Sequence, residues 1–262
     1  MRKLASLVSA AALLGSMLPF AASAATVPLS QVQSGDLVRG QSFSAVYYYG
    51  KDGFRYVFPN DKTYFTWYAN FNTVKFITDA DLAKIQIGGN VTYKPGVKML
   101  KINSDPKTYA LSKGGMLRWV KTPEIAVGLY GADWNKKIDD VPDAFFSNYK
   151  KGADLEQVSD FNAAAEQSNV DDINDDKGLR APTFIDIVDN QFSATTVTIP
   201  ANTAVKFTNK GANKHTATAT DLSWGSGTLE AGQNFSRYFK TPGTYTYFCS
   251  YHPSMTATII VQ

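Results

Sequence analysis

The chain has 262 residues, of which 44% are hydrophobic and 19% charged, with a formal net charge of +3. That length suits two modest domains, and so small a charge argues against a nucleic-acid partner, which leaves a strongly basic footprint. One cysteine and two histidines rule out an internal disulfide and leave little material for more than one His/Cys metal centre.

In chain order, Arg2 and Lys3 precede an apolar run over residues 4–20 and an Ala-Ser-Ala pattern ending at Ala24. This reads as a secretory signal peptide over residues 1–24, cleaved near Ala24, and places the mature protein in the periplasm, outside the cell or on its surface. No later stretch reaches the ~18 apolar residues of a membrane span.

Residues 25–150 read as a β-rich α+β domain of two related halves. Residues 46–57 echo residues 109–120, with Arg55 matching Arg118 and Phe71 matching Trp134. Each copy predicts a strand, a Gly-containing turn, a second strand and a short helix, over 62–68 in the first and 122–130 in the second. Thr122 and Pro123 have the order of a helix start. A short strand is expected over 91–93. The aromatics Tyr47, Tyr48, Tyr49, Tyr56, Tyr64, Phe65, Trp67 and Tyr68 make either a β core, which alternation favours, or a sugar-binding platform.

Residues 151–182 form an acidic linker, helical in part. Within residues 151–180 three basic side chains face eight acidic ones. The acidic run over 171–176 does not make a calcium loop of the EF-hand type, since Lys177 and Thr183 stand where Gly and Glu are needed.

Residues 183–262 change to short strands, expected over 184–188, 195–199, 204–208, 234–239, 244–248 and 256–261, with turns at 200–202 and 241–243. The whole chain is therefore mainly β, and its C-terminal part predicts an antiparallel Greek-key β-sandwich. Cys249, His252 and Met255 fall between the last two strands, and His215 follows the strand at 204–208. A thiolate, two imidazoles and a thioether are the donor set of a type 1 copper site. Taken singly, each of these residues is more often a core or surface side chain; together they nominate one copper ion.

The stretch from Phe192 to Gln262 closely resembles the cupredoxins, specifically small bacterial plastocyanin- and amicyanin-like domains. The resemblance lies in Lys214-His-Thr, in Pro242-Gly-Thr-Tyr-Thr-Tyr-Phe-Cys249 and in His252-Pro-Ser-Met255. It implies a blue copper protein that passes single electrons between redox partner proteins. With both histidines committed to that site, no second copper centre can be built from His, and no substrate turnover is expected. The resemblance also implies an electron port at the His252 ring edge, lined by Tyr251 and Pro253. Thr216 stands where many relatives carry an Asn that steadies the cysteine loop, so the resemblance does not say how that loop is held. Copper buffering or delivery, or a surface-interaction protein with a cupredoxin module, are the other functions compatible with these residues. The N-terminal block resembles an uncharacterised module of secreted and surface proteins of candidate-phylum bacteria, which implies contact with the cell surface or another protein but no activity.

Overall fold

The computed structural model describes residues 25–262. The signal-peptide expectation falls on residues 1–24 and lies outside the described residues. Among the described residues no helix is long and apolar enough to cross a membrane.

The N-terminal block holds two five-stranded sheets. The first contains β1 (Leu37–Arg39), β2 (Tyr47–Tyr49), β3 (Arg55–Val57), β4 (Val74–Phe76) and β5 (Ile87–Asn90) in the order β4-β1-β2-β3-β5. The second contains β6 (Met99–Ile102), β7 (Asp105–Ser112), β8 (Met116–Trp119), β9 (Ile138–Asp140) and β10 (Lys150–Lys151) in the order β10-β8-β7-β6-β9. The connectivity is the same: the central three strands are antiparallel, and each outer strand joins in parallel. Helix α1 (Asp61–Trp67) follows β3, with Asn60 accepting the Thr63 N–H as its cap. α3 (Pro123–Tyr130) follows β8, with Thr122 accepting the Ile125 N–H and Pro123 in the first turn. The short helices α2 (Asp79–Ala83) and α4 (Asp143–Phe146) precede β5 and β10.

The backbone pairing aligns the two halves differently from the sequence echo. Tyr48 pairs with Leu37 and Tyr109 with Leu100, while Tyr49 pairs with Arg55 and Ala110 with Arg118. The equivalent tyrosines are thus Tyr48 and Tyr109, because the hairpin from Tyr48 to Arg55 is two residues shorter than the one from Tyr109 to Arg118. Both are buried, as are Tyr56 and Tyr64, so these rings are core rather than an exposed platform. Residues 91–93 are not a strand; the pairing segment lies just before them in β5, against β3.

Residues 151–182 carry α5 (Ala163–Ser168) and α6 (Ile173–Lys177) and strap across the block. Leu155, Phe161, Val170 and Ile173 are buried. Asp172 caps α6 through the Asp175 N–H and accepts from the Tyr48 hydroxyl. Buried Asp176 accepts the Gly114 N–H and the Thr92 hydroxyl, and burial pushes its carboxyl above the usual range. The acidic run is spent on caps and turns.

The C-terminal sandwich has two four-stranded sheets. One holds β11 (Thr183–Val188), β12 (Gln191–Phe192), β14 (Thr203–Asn209) and β16 (Asn234–Phe239) in the order β12-β11-β14-β16. The other holds β13 (Thr196–Ile199), β15 (Thr218–Ala219), β17 (Gly243–Cys249) and β18 (His252–Val261) in the order β13-β18-β17-β15. Two pairs, β11 with β14 and β13 with β18, are parallel; the rest are antiparallel. Alternate residues of facing strands make one core: Ile185, Ile187, Val205, Phe207, Tyr247 and Ile259 are all fully buried. At 20–33 cal/mol per Å² of apolar surface removed from water, each such side chain contributes about 1.5–3 kcal/mol.

The halves meet the sandwich at β16. The Gln86 amide accepts the Ser236 N–H at 2.5 Å and donates to the Ser236 carbonyl at 3.2 Å, covering an edge strand. Phe54 stacks on Tyr238 with ring centroids 5.4 Å apart. The Tyr56 and Tyr238 hydroxyls both donate to the fully buried Asp52, which also accepts the Phe54 N–H. A buried carboxylate held this way is costly to remove, since its donors lose their acceptor. Asp52→Ala should lower stability by about 3 kcal/mol, read as a drop in the urea midpoint; an unchanged midpoint would show that the Asp52 junction contributes nothing.

Candidate metal centre

Cys249 ends β17 and His252 begins β18, paired directly across a two-residue turn of Ser250 and Tyr251, with a register shift at Phe248/Cys249. The sequence reading put Cys249, His252 and Met255 on a loop. They instead belong to a tight hairpin, in which Met255 lies within β18 and is buried. β18 runs back to His252, which pairs with Cys249, while regular pairing with β17 begins at Thr256 opposite Phe248.

His215 sits on a different part of the chain, ahead of β15. Its N–H donates to the Leu229 carbonyl at 3.2 Å, and its carbonyl accepts the Leu229 N–H at 2.8 Å. Fully buried Asn209, at the end of β14, fixes this segment: its side-chain amide donates to the carbonyls of Asn213 and Leu229, both at 2.8 Å. Buried amides with all their bonds made rigidify what they tie together.

These elements bring three of the predicted donors to one point. Cys249 Sγ lies 3.6 Å from His215 Nδ1 and 3.6 Å from His252 Nδ1. The donor atoms of the three residues all lie within 4.8 Å of one another. Cys249 and His215 are fully buried, while His252 is half-buried. Donors at this separation match one ion with bonds of roughly 2.0–2.3 Å, and thiolate with imidazoles is the soft, nitrogen-rich set that copper takes. The residues present therefore fit a type 1 copper ion.

The surroundings include Thr216 and Tyr251, which the sequence reading singled out, and others such as Asp189 that it did not. The Thr216 N–H donates to Cys249 Sγ at 3.4 Å. Thr216 Oγ1 accepts the Ser250 N–H at 2.8 Å and lies 3.0 Å from Thr218 Oγ1 and 3.3 Å from Ser250 Oγ. The threonine thus makes the tie to the cysteine hairpin that the family pattern left open. His215 Nε2 is buried and comes within 3.5 Å of Asp189 Oδ1. The Asn213 N–H, at 3.1 Å, and then the His215 ring hold the Asp189 carboxyl below the usual carboxylate range. No sequence signal joined Asp189 to His215, since β12, β13 and β14 lie between them in the chain. Tyr251 is 50% exposed and Leu222 72% exposed. Both line an open groove of about 560 Å³ with Thr216, Trp224, Thr228 and Ser250.

Residues 166–261 match the cupredoxin-like domain family. Solved structures similar to this chain include a copper-containing nitrite reductase from Thermus scotoductus SA-01, 28% identical, over 32% of this chain and 23% of that one (TM-score 0.30). They also include a purple cupredoxin from Nitrosopumilus maritimus, 26% identical, over 30% of this chain and 99% of that one (TM-score 0.29). A third is the amicyanin of Paracoccus versutus, 24% identical, over 31% of this chain and 81% of that one (TM-score 0.29). The chain thus covers less than a quarter of the nitrite reductase's length. No curated protein matches.

The Thr216 bonds generate a test. Residues that orient metal ligands typically govern affinity by 10–100-fold. Thr216→Val keeps the shape and the backbone N–H but removes the acceptor for Ser250. Copper affinity should fall by about 10-fold in a competition titration with a chelator, and Thr216→Ser should restore it.

Proposed function

We propose that the protein is an exported carrier of single electrons, with copper held by His215, Cys249 and His252 and by Met255 as a weak fourth donor. The observation that carries this reading is the convergence of both histidines on the only cysteine, Nδ1 to Sγ at 3.6 Å on each side. When bound, copper supplies a one-electron Cu(I)/Cu(II) couple.

The residues around it do the rest. Asn209, Leu229 and Thr216 fix the donors before any ion binds, so a change of oxidation state meets a frame that need not rearrange. Burial of Cys249 and His215 keeps water from the thiolate. His252 is half-buried and offers the one route by which a ring edge reaches the surface. Exposed Tyr251, its neighbour in the chain, and Leu222, which lines the same groove as Tyr251, form an apolar rim for a redox partner protein. The Tyr251 hydroxyl bonds Thr228 Oγ1 at 2.8 Å, which holds that rim in place.

Both histidines are used by this site, and no third exists in the chain. A second, catalytic copper centre built on imidazole has no ligands here, so we assign no substrate turnover. Delivery of the ion to an acceptor would favour a shallow, loosely held site. The buried thiol and its backbone N–H donor favour retention. The leader-like pattern of residues 1–24 supports export, and the paired N-terminal sheets supply a module for contact with a surface or another protein.

Two outcomes test the proposal. Cu(II) added to the purified apo-protein should give an intense visible band that ascorbate bleaches reversibly and that Cys249→Ser lacks; a colourless, weakly held complex overturns the assignment. Tyr251→Lys should slow electron exchange with a redox partner in stopped-flow while leaving the visible band unchanged, and an equal rate removes Tyr251 from the port.

A further inference from the structure

The two halves of the N-terminal block each carry an open cleft at the same place. One has a volume of about 510 Å³ and the other about 330 Å³, within the range of ordinary small-ligand sites. Each lies where the central hairpin meets the start of the helix that follows it. Val57, the last residue of β3, and Val120, just past β8, form the equivalent floors. The helix caps Asn60 and Thr122 stand at equivalent rims, followed by Asp61 and Pro123. Tyr64 and Ala126, each three residues further along its helix, come next, and Phe71 and Trp134 close each cleft with an aromatic ring. Phe71 is 49% exposed. Cleft and aromatic wall have thus been kept in both copies while the side chains around them differ.

The lining narrows the class of ligand. It holds no cluster of nucleophilic or metal-ligating side chains, which points to binding rather than catalysis. It presents hydroxyl and amide groups beside rings: Ser44, Asn60 and Asn90 in one cleft, Thr108 and Thr122 in the other. The charges differ between the clefts: Asp61, which accepts the Lys62 N–H, lines one, and Lys107 and Lys121 line the other. Lys107 and Lys121 lie over the Trp119 ring, 4.7 and 5.5 Å from its centroid, and Lys121 also pairs with Glu156 and Asp154. The two clefts thus share no charge of one sign that would select an anion or a cation in both. The clefts sit over central strands whose backbone groups are already paired, so a peptide cannot add as a strand. A neutral, polyhydroxylated ligand meets these conditions: its ring faces stack on an aromatic wall, and its hydroxyls find side-chain amides and hydroxyls.

We propose that the duplicated cleft is a pair of binding sites for a neutral glycan, with Phe71 and Trp134 as the stacking platforms. A ligand that repeats along its length suits a site that repeats along the chain, and two linked sites hold it longer than either alone.

The test uses the full chain with copper bound. Native gels cast with xylan, mannan, dextran or a β-1,3-glucan should retard it in at least one case. The matching hexasaccharide should bind with a stoichiometry of two by calorimetry. Phe71→Ala or Trp134→Ala alone should reduce that to one, and the double variant should run as in a plain gel. An intact copper band and an unchanged unfolding midpoint establish that the variants fold. On the unaltered chain, the same hexasaccharide should reduce acrylamide quenching of tryptophan fluorescence, since Trp119 and Trp134 both line one cleft. The proposal is overturned by no retardation with any of the four polymers, by a double variant retarded as strongly as the parent, or by quenching that the sugar leaves unchanged. Binding of decaproline in place of the glycans, lost in the same variants, also overturns it and assigns the clefts to proline-rich peptides.

Discussion

The copper end of the molecule depends on one residue's two-way tie between strands that are far apart in sequence. Thr216 follows the ligand His215. Its N–H points at Cys249 Sγ, and its hydroxyl accepts the N–H of Ser250. The histidine segment and the cysteine hairpin are thereby locked at one separation. The N–H to sulfur contact also places a partial positive charge against the thiolate. Removing the side chain leaves the N–H in place. Loop position and sulfur electrostatics are therefore separable properties of the same residue.

The sandwich supplies the rigidity this tie needs. β14 ends at Asn209, whose amide holds the loops bearing Asn213 and Leu229. Leu229 in turn pairs with His215. The chain of bonds from β14 to the ligand contains no exposed link, because Asn209, His215 and Leu229 are all buried. The same strand begins at Thr203, and its second residue, Ala204, packs into the core of the first N-terminal half. Asn209 lies five residue steps beyond Ala204 along the strand, about 16 Å at the usual rise. One end of β14 is thus given to the junction and the other to the metal.

The C-terminal domain was legible because its chemistry is local. Cys249, His252 and Met255 lie within seven residues, and alternating strands announce a sandwich. What sequence could not show was contact between distant segments. β12 and β15 have two residues each and no pattern to detect. Asp189 meets His215 only through the fold. In the N-terminal block the repeat was visible, but its alignment slipped. Matching Arg55 to Arg118 carried the first strand along in step, whereas the first hairpin is two residues shorter than the second, so its strands pair in a different alignment. The acidic strip read as linker by composition. Its four buried apolar residues are spaced too irregularly to form a helical face, so their packing against the halves appears only in three dimensions.

The placement of the junction bears on how the two parts can work together. Ser236 and Tyr238 on β16, with Ala204 on β14, make the contacts to the N-terminal halves. None of these is a residue of the ligand hairpin or of the groove beside Tyr251. β16 is the edge of its sheet, and covering that edge removes a site for unwanted strand pairing without covering His252. Phe54, Tyr56, Asp52 and Tyr238 build the contact from stacked rings and a buried carboxylate rather than from a flexible tether. The orientation of the metal end relative to the two halves is therefore set by packing. If the halves hold a surface, the half-buried His252 is presented at a fixed angle to it, and partner access becomes a property of the whole chain rather than of the copper domain alone.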